Sequence, residues 1–78
     1  MSRERTRKVG LQKRIGLKIV RDLHQRNQSV DRLALDVGMA RSTLREIIAG
    51  RSNPRVLTLE SIAQGLGYPG LAEFFSGL

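Results

Sequence analysis

The stretch "VDRLALDVGMARSTLREIIAG", Val30 to Gly50, decides the fold. Val30, Leu33, Ala34 and Val37 follow the i, i+3, i+4, i+7 spacing of one helix face, and Leu44, Ile47 and Ile48 begin the same series again. Gly38 stands between the two runs. Two helices that cross steeply need a tight turn, and a small residue where their axes converge. Gly38 is expected to supply the positive φ of the turn and Ala34 the close approach. Leu33, Val37, Met39, Leu44 and Ile47 then fill the angle between the helices. This arrangement leaves Arg41, Ser42, Arg45 and Glu46 on the outer side of the second run, a set of donors and acceptors suited to base edges in a major groove.

Working outward, a first helix is predicted from Val9 or Leu11 to Arg26, with Leu11, Ile15, Ile19, Val20 and Leu23 as its inner face. Gly16 weakens that helix by about 1 kcal/mol relative to Ala. "RNQ" breaks the pattern. Ser29 is the expected N-cap of the next helix, with Asp31 near its positive end. Beyond Gly50, "GRSNPR" reads as a loop, because Pro54 removes a donor and restrains Asn53. Leu59, Ile62, Ala63 and Leu66 repeat the helical spacing, with Thr58 as the expected cap, and so do Leu71, Phe74, Phe75 and Leu78. Gly38, Gly50 and Gly67 punctuate the helix ends. "MSRERTRKVG" has no apolar periodicity, so residues 1–8 are expected to form a flexible basic arm before a domain over 9–78. No segment alternates as a strand would. The expected fold class is all-α, a compact bundle of five short helices containing a helix-turn-helix.

At 78 residues the chain has room for one small domain, which buries only about 60% of the surface of its unfolded chain. There is no cysteine, hence no disulfide and no thiolate metal site. No run approaches the roughly 18 apolar residues of a membrane span, and the N-terminus lacks a signal peptide's apolar segment. The chain therefore reads as soluble, cytoplasmic and nucleoid-associated, with no membrane partner. His24 is the single histidine, so no metal site is expected. Neither a Ser-His-Asp set, a phosphate-cradling glycine loop nor a paired-carboxylate arrangement is visible, so the expectation is a protein without catalysis or cofactor.

Charge is distributed unevenly. Residues 1–28 hold nine basic side chains against two acidic ones, which accounts for the whole net charge of +7, whereas residues 29–78 hold five of each. Such asymmetry implies a polyanion approached by a basic arm. The plainer alternative is a solvated tail and helix face that serve solubility.

The residues from Ile15 to Phe75 resemble the phage repressor and Cro-like (Xre-type) helix-turn-helix family. The resemblance rests on "LALDVGMARSTLREIIAG" followed by "RSNPRVLTLESIAQGLGY", and above all on the joint placement of Ala34, Gly38, Leu44 and Ile47. It implies a lambda-repressor-like domain that binds double-stranded DNA sequence-specifically as a transcriptional regulator such as a repressor. Its recognition helix, about residues 40–49, would lie in the major groove. Three departures stand out. Val30 occupies the position where the family usually has a phosphate-holding Gln. Ala40 stands where a capping Ser is common, at a local loss of about 1 kcal/mol. Thr43-Leu44-Arg45-Glu46 offers a capping box that would start the helix later, although the earlier start is favoured. The third departure is paired: Ile48, with Leu23 or His24, stands where the family commonly joins a Glu to an Arg, and apolar packing can replace such a buried pair.

The residue roles follow from this placement. Arg41 and Arg45 suit bidentate contact to guanine O6 and N7, and Glu46 suits cytosine N4, with a salt bridge to Arg45 or a helix cap as its alternative. Ser42 can reach base or phosphate. Thr43, Arg51, Ser52, Asn53 and Arg55 are expected on the DNA backbone, together with Arg3, Arg5, Arg7 and Lys8 of the arm, which can also enter a minor groove. Leu71, Phe74, Phe75 and Leu78 exceed what closing a small core requires, so they are expected to join two copies into a homodimer, the alternative being that both Phe side chains are core. Two other functions remain open: an antitoxin-like protein-interaction module with a toxin as partner, and a non-specific nucleic-acid-binding protein.

Overall fold

The computed structural model describes residues 10–78, and over that range the chain is helical with no strand. In chain order the helices are α1 (Gly10–Gln25), α2 (Val30–Val37), α3 (Arg41–Ile48), α4 (Val56–Gly65) and α5 (Leu71–Phe75). The expected arm over residues 1–8 lies outside the described residues.

Local chemistry accounts for the first half of the helix-turn-helix. The Ser29 hydroxyl accepts the Arg32 N–H at 3.0 Å, which satisfies one of the free donors at the start of α2, and Asp31 stands in the same first turn. Gly38 ends α2 in the left-handed region, at φ 72° and ψ 36°. A side chain there would be strained, whereas glycine adopts the conformation freely. The chain then turns into α3 through Ala40, and α3 begins at Arg41, so the earlier of the two possible starts is the one adopted.

One core joins all five helices. α1 contributes Ile15, Ile19 and Leu23; α2 Leu33 and Ala34; α3 Leu44 and Ile47. Leu59, Ile62 and Ala63 of α4, Leu66 just beyond it, and Phe74 of α5 complete it. Val30, Val37, Met39 and Ile48 pack against it half-buried. Leu23 is thus buried in the core with Ile48 packed against it, whereas His24, the alternative position for the family's Arg, is exposed.

Three expectations need correction. Leu11 and Val20 are not on the inner face of α1, being 52% and 46% exposed. The buried row is Ile15, Ile19 and Leu23, flanked by buried Lys18 and Asp22 on the side away from Val20. Val20 sits about 100° round the helix from Ile19, on the solvent side of that row. Thr58 does not cap α4. Arg55 is extended at φ −71° and ψ 158°, and the helix begins at Val56, so Thr58 lies inside the first turn. Phe74, finally, is fully buried and meets the Tyr68 ring edge-on at 5.6 Å between centroids, so it belongs to the core and cannot face a second subunit.

A buried polar cluster on α1 was not anticipated. The Lys18 ammonium donates to the Tyr68 hydroxyl at 2.7 Å, and that hydroxyl donates to Asp22 Oδ2 at 2.7 Å. Lys18 Nζ also lies 3.3 Å from Asp22 Oδ2 and over the Tyr68 and Phe74 rings. The bond to Tyr68 above all, and then the Asp22 carboxylate, hold the Lys18 pKa above the ordinary 10.5 despite the opposing effect of burial. Each polar group is satisfied, which makes their burial tolerable. The cluster ties α1 to the segment between α4 and α5.

Gly16 is a point of close approach between α1 and α3. A Cβ built on it would overlap the backbone carbonyl of Ile48. Helix propensity alone would make Gly16→Ala stabilising by about 1 kcal/mol. Packing reverses the sign: we expect a net loss of about 1–3 kcal/mol, since backbone gives way less readily than a side chain. Urea denaturation of the two proteins measures it, and an Ala variant as stable as the parent would remove the close approach.

Candidate nucleic-acid interface

The back of α3 is apolar and buried through Leu44 and Ile47, which fixes the opposite side toward solvent. Arg41, Ser42, Thr43, Arg45 and Glu46 are all exposed there. The loop that follows adds Arg51, Asn53 and Arg55, also exposed, with Ser52 half-buried. The sequence-predicted contact residues of the described region are thus gathered on α3 and the segment directly after it. Arg3, Arg5, Arg7 and Lys8 lie outside the described residues.

Tertiary contacts hold this loop in place. Gln12 Nε2 of α1 donates to the Ser52 carbonyl at 2.8 Å, and Gly50 lies against Lys13 so closely that a Cβ there would come within 3.2 Å of the Lys13 Cα. The N-terminal end of α1, with Lys13 exposed on it, therefore borders the loop.

Carboxylates already engage three arginines of the surface, Arg41, Arg45 and Arg51. Asp31 of α2 accepts from Arg41 Nη1 at 3.2 Å through one oxygen and from Arg45 Nη2 at 3.1 Å through the other. Glu46 pairs with Arg51 through two parallel bonds, Nε to Oε1 at 3.0 Å and Nη2 to Oε2 at 2.9 Å. Fork-to-fork pairing of this kind is the strong geometry for Arg and carboxylate. The Arg51 guanidinium holds the Glu46 carboxyl below its ordinary pKa, and Glu46 in turn raises that of Arg51. Glu46 thus pairs with Arg51, whereas the sequence suggested Arg45 as its partner. Asp31 was read only as a helix-end charge. Its reach to α3 depends on the angle between two helices, for which sequence spacing carries no signal.

Among the described residues there is no group of three or more His, Cys, Asp or Glu side chains placed to hold a metal ion. Nor is any described helix long and apolar enough to cross a membrane.

A family model for the helix-turn-helix family HTH_3 matches residues 17–71. The chain belongs to this family. The match runs from within α1, through the α2–Gly38–α3 unit and the loop, to the first residue of α5. The HTH_3 fold also aligns with the crystal structure of an HTH_3 family transcriptional regulator from Vibrio cholerae, at a TM-score of 0.74 and 29% identity over 85% of this chain. The alignment spans 36% of that regulator's length. No curated protein matches the chain.

Within the HTH_3 unit, α3 starts without a side-chain cap, because Ala40 stands at the N-cap position. Ala40→Ser should satisfy one free N–H and stabilise the domain by about 1 kcal/mol. Thermal unfolding at equal salt reads this gain; a midpoint at or below the parent's would mean that the turn does not admit the capping geometry.

Proposed function

We propose that this HTH_3 domain binds double-stranded DNA sequence-specifically as part of a transcriptional regulator, with α3 inserted in the major groove. One observation carries the reading: α3 exposes Arg41, Arg45 and Glu46 to solvent on the sides left free by the buried Leu44 and Ile47. Arginine forks match guanine O6 and N7, and a carboxylate matches the cytosine amino group. Ser42 on the same face adds a hydroxyl that bonds either base or phosphate. Thr43, Arg51, Ser52, Asn53 and Arg55 grip the DNA backbone, and the arginines and lysine of residues 1–8 extend that grip. Family membership and the Vibrio cholerae regulator both support a DNA-binding regulator rather than an enzyme.

The experiment separates reading from gripping. Binding selections from random duplexes are run on Ala variants of Arg41, Arg45, Glu46, Arg51 and Arg55, each with helical content confirmed. Loss of a base contact should cost about 1–3 kcal/mol on the best site, much less on random DNA, and change the base preferred at one position. Loss of a phosphate contact should weaken all sequences alike and flatten the log K against log salt slope by about 0.9. The assignment fails if Arg41 and Arg45 variants keep every parental preference while Arg51 or Arg55 variants alter them.

Pairing of two copies belongs to the same proposal in reduced form, with Phe74 removed from the contact. Leu71, Phe75 and Leu78 are half-buried and retain apolar surface toward solvent. Exposed Leu17 borders Leu78 across a shallow depression also lined by Arg14 and Arg21. A dimer over this surface would present two copies of α3 to two half-sites. Sedimentation of the protein with duplex DNA decides it: a dimer is expected, reduced to a folded monomer by Leu78→Asp, whereas a parent that stays monomeric at high micromolar concentration with DNA removes the dimer.

A further inference from the structure

Arg41 and Arg45 stand four residues apart on α3, where like charges repel. In this fold their guanidinium groups converge on one carboxylate instead, that of Asp31 on the neighbouring helix. We propose that Asp31 is a specificity-determining residue, which braces both arginines for base edges and withholds them from phosphate. This rests on the reading of α3 as the element that enters the major groove.

The geometry is suited to bracing. Each Asp31 oxygen takes one arginine, at 3.2 Å for Arg41 and 3.1 Å for Arg45. A guanidinium carries five N–H donors in a rigid fork. Each arginine donates one bond here to Asp31, which leaves it the donors for a two-pronged grip on guanine. The shared carboxylate offsets the repulsion between the two heads and limits the directions in which they can point. A long, rotamer-rich side chain held in this way loses less freedom on meeting its target.

The position of Asp31 adds a second effect. It lies in the first turn of α2, where free backbone N–H groups and the helix dipole would otherwise draw a phosphate. A carboxylate there repels one. Stability does not explain the pairing, because all three side chains are half or more exposed and ion pairs so exposed contribute little. The contrast with Arg32 and Asp36 is informative. That pair lies within α2 itself, at i and i+4, and reaches no residue of α3.

Non-specific binding is dominated by phosphate contacts, so a residue that keeps two arginines off phosphate costs more affinity on random DNA than on the preferred site. The test uses Asp31→Asn and Asp31→Ser, both of which keep a polar side chain in the first turn of α2 and remove the charge; either variant suffices. Affinity is measured on the selected duplex and on a random duplex over a salt series, with helical content checked by circular dichroism. Binding to random DNA should tighten by roughly threefold or more, with a salt slope steeper by about 0.9 for each phosphate newly contacted. Binding to the selected site should gain less or weaken, so that discrimination falls by roughly fivefold, a part of the range that one arginine–guanine contact spans. Asp31→Glu, which keeps the charge, should retain most of the parental discrimination. A merely structural role predicts the opposite pattern, both affinities falling together at constant ratio, and that result or an unchanged ratio overturns the proposal. A parent protein that binds duplex DNA with no sequence preference overturns the underlying reading as well, which a discriminating parent with an indifferent Asp31 does not.

Discussion

The approach of α1 to α3 at Gly16 is the constraint on which the rest of the structure depends. A helix of eight residues has little stability of its own, so α3 takes its direction from what its back touches. Leu44 and Ile47 enter the core, and the backbone of Ile48 rests on Gly16 where no side chain would fit. Gly50 then settles against Lys13, and the Ser52 carbonyl accepts from Gln12. α1 therefore acts as the bed on which α3 and its following loop are laid. In an interior packed as densely as a crystal of small molecules, a displacement by one methyl group would tilt α3 and every exposed side chain on it.

Charges in this protein divide into two physical kinds. Lys18 and Asp22 are buried, and with Tyr68 they form a closed set of bonds. Among the described residues no buried side-chain nitrogen or oxygen is left without a partner. Breaking such a set strands a charge in a low-dielectric surrounding, so it holds its geometry. Asp31 with Arg41 and Arg45, and Glu46 with Arg51, sit in water instead. Their bonds are screened by water and salt, so they contribute little to stability, and each arginine keeps further donors for another partner. The buried set keeps α1 and the α4–α5 segment together, whereas the exposed pairs limit the directions of side chains that stay open to solvent.

Much of this was legible along the chain because it is local. Helix spacing, Ser29 ahead of α2 and Gly38 behind it each act within a few residues, and Gly38 sets the turn. The expected contact residues of α3 are exposed for the same reason: a helix with two buried positions leaves the remainder open to solvent. The misreadings share a cause as well. Periodicity marked Leu11 and Val20 as inner because it registers apolar character and takes no account of Lys18 and Asp22, whose burial depends on Tyr68 nearly fifty residues away. It likewise assigned Phe74 outward, since the number of aromatic rings a core can absorb is a property of the volume enclosed, not of one helix.

The sequence by itself thus determined the five helices, the glycine turn between α2 and α3, and the residue types that α3 turns outward, since each depends on neighbours within one or two turns. Only the tertiary structure decided that Gly16 is a contact point rather than a weakness, and that Lys18 is buried. It alone decided that Asp31 reaches two arginines across a helix boundary. Those outcomes depend on distances between residues far apart in the chain, set when the helices pack, and no local spacing encodes them.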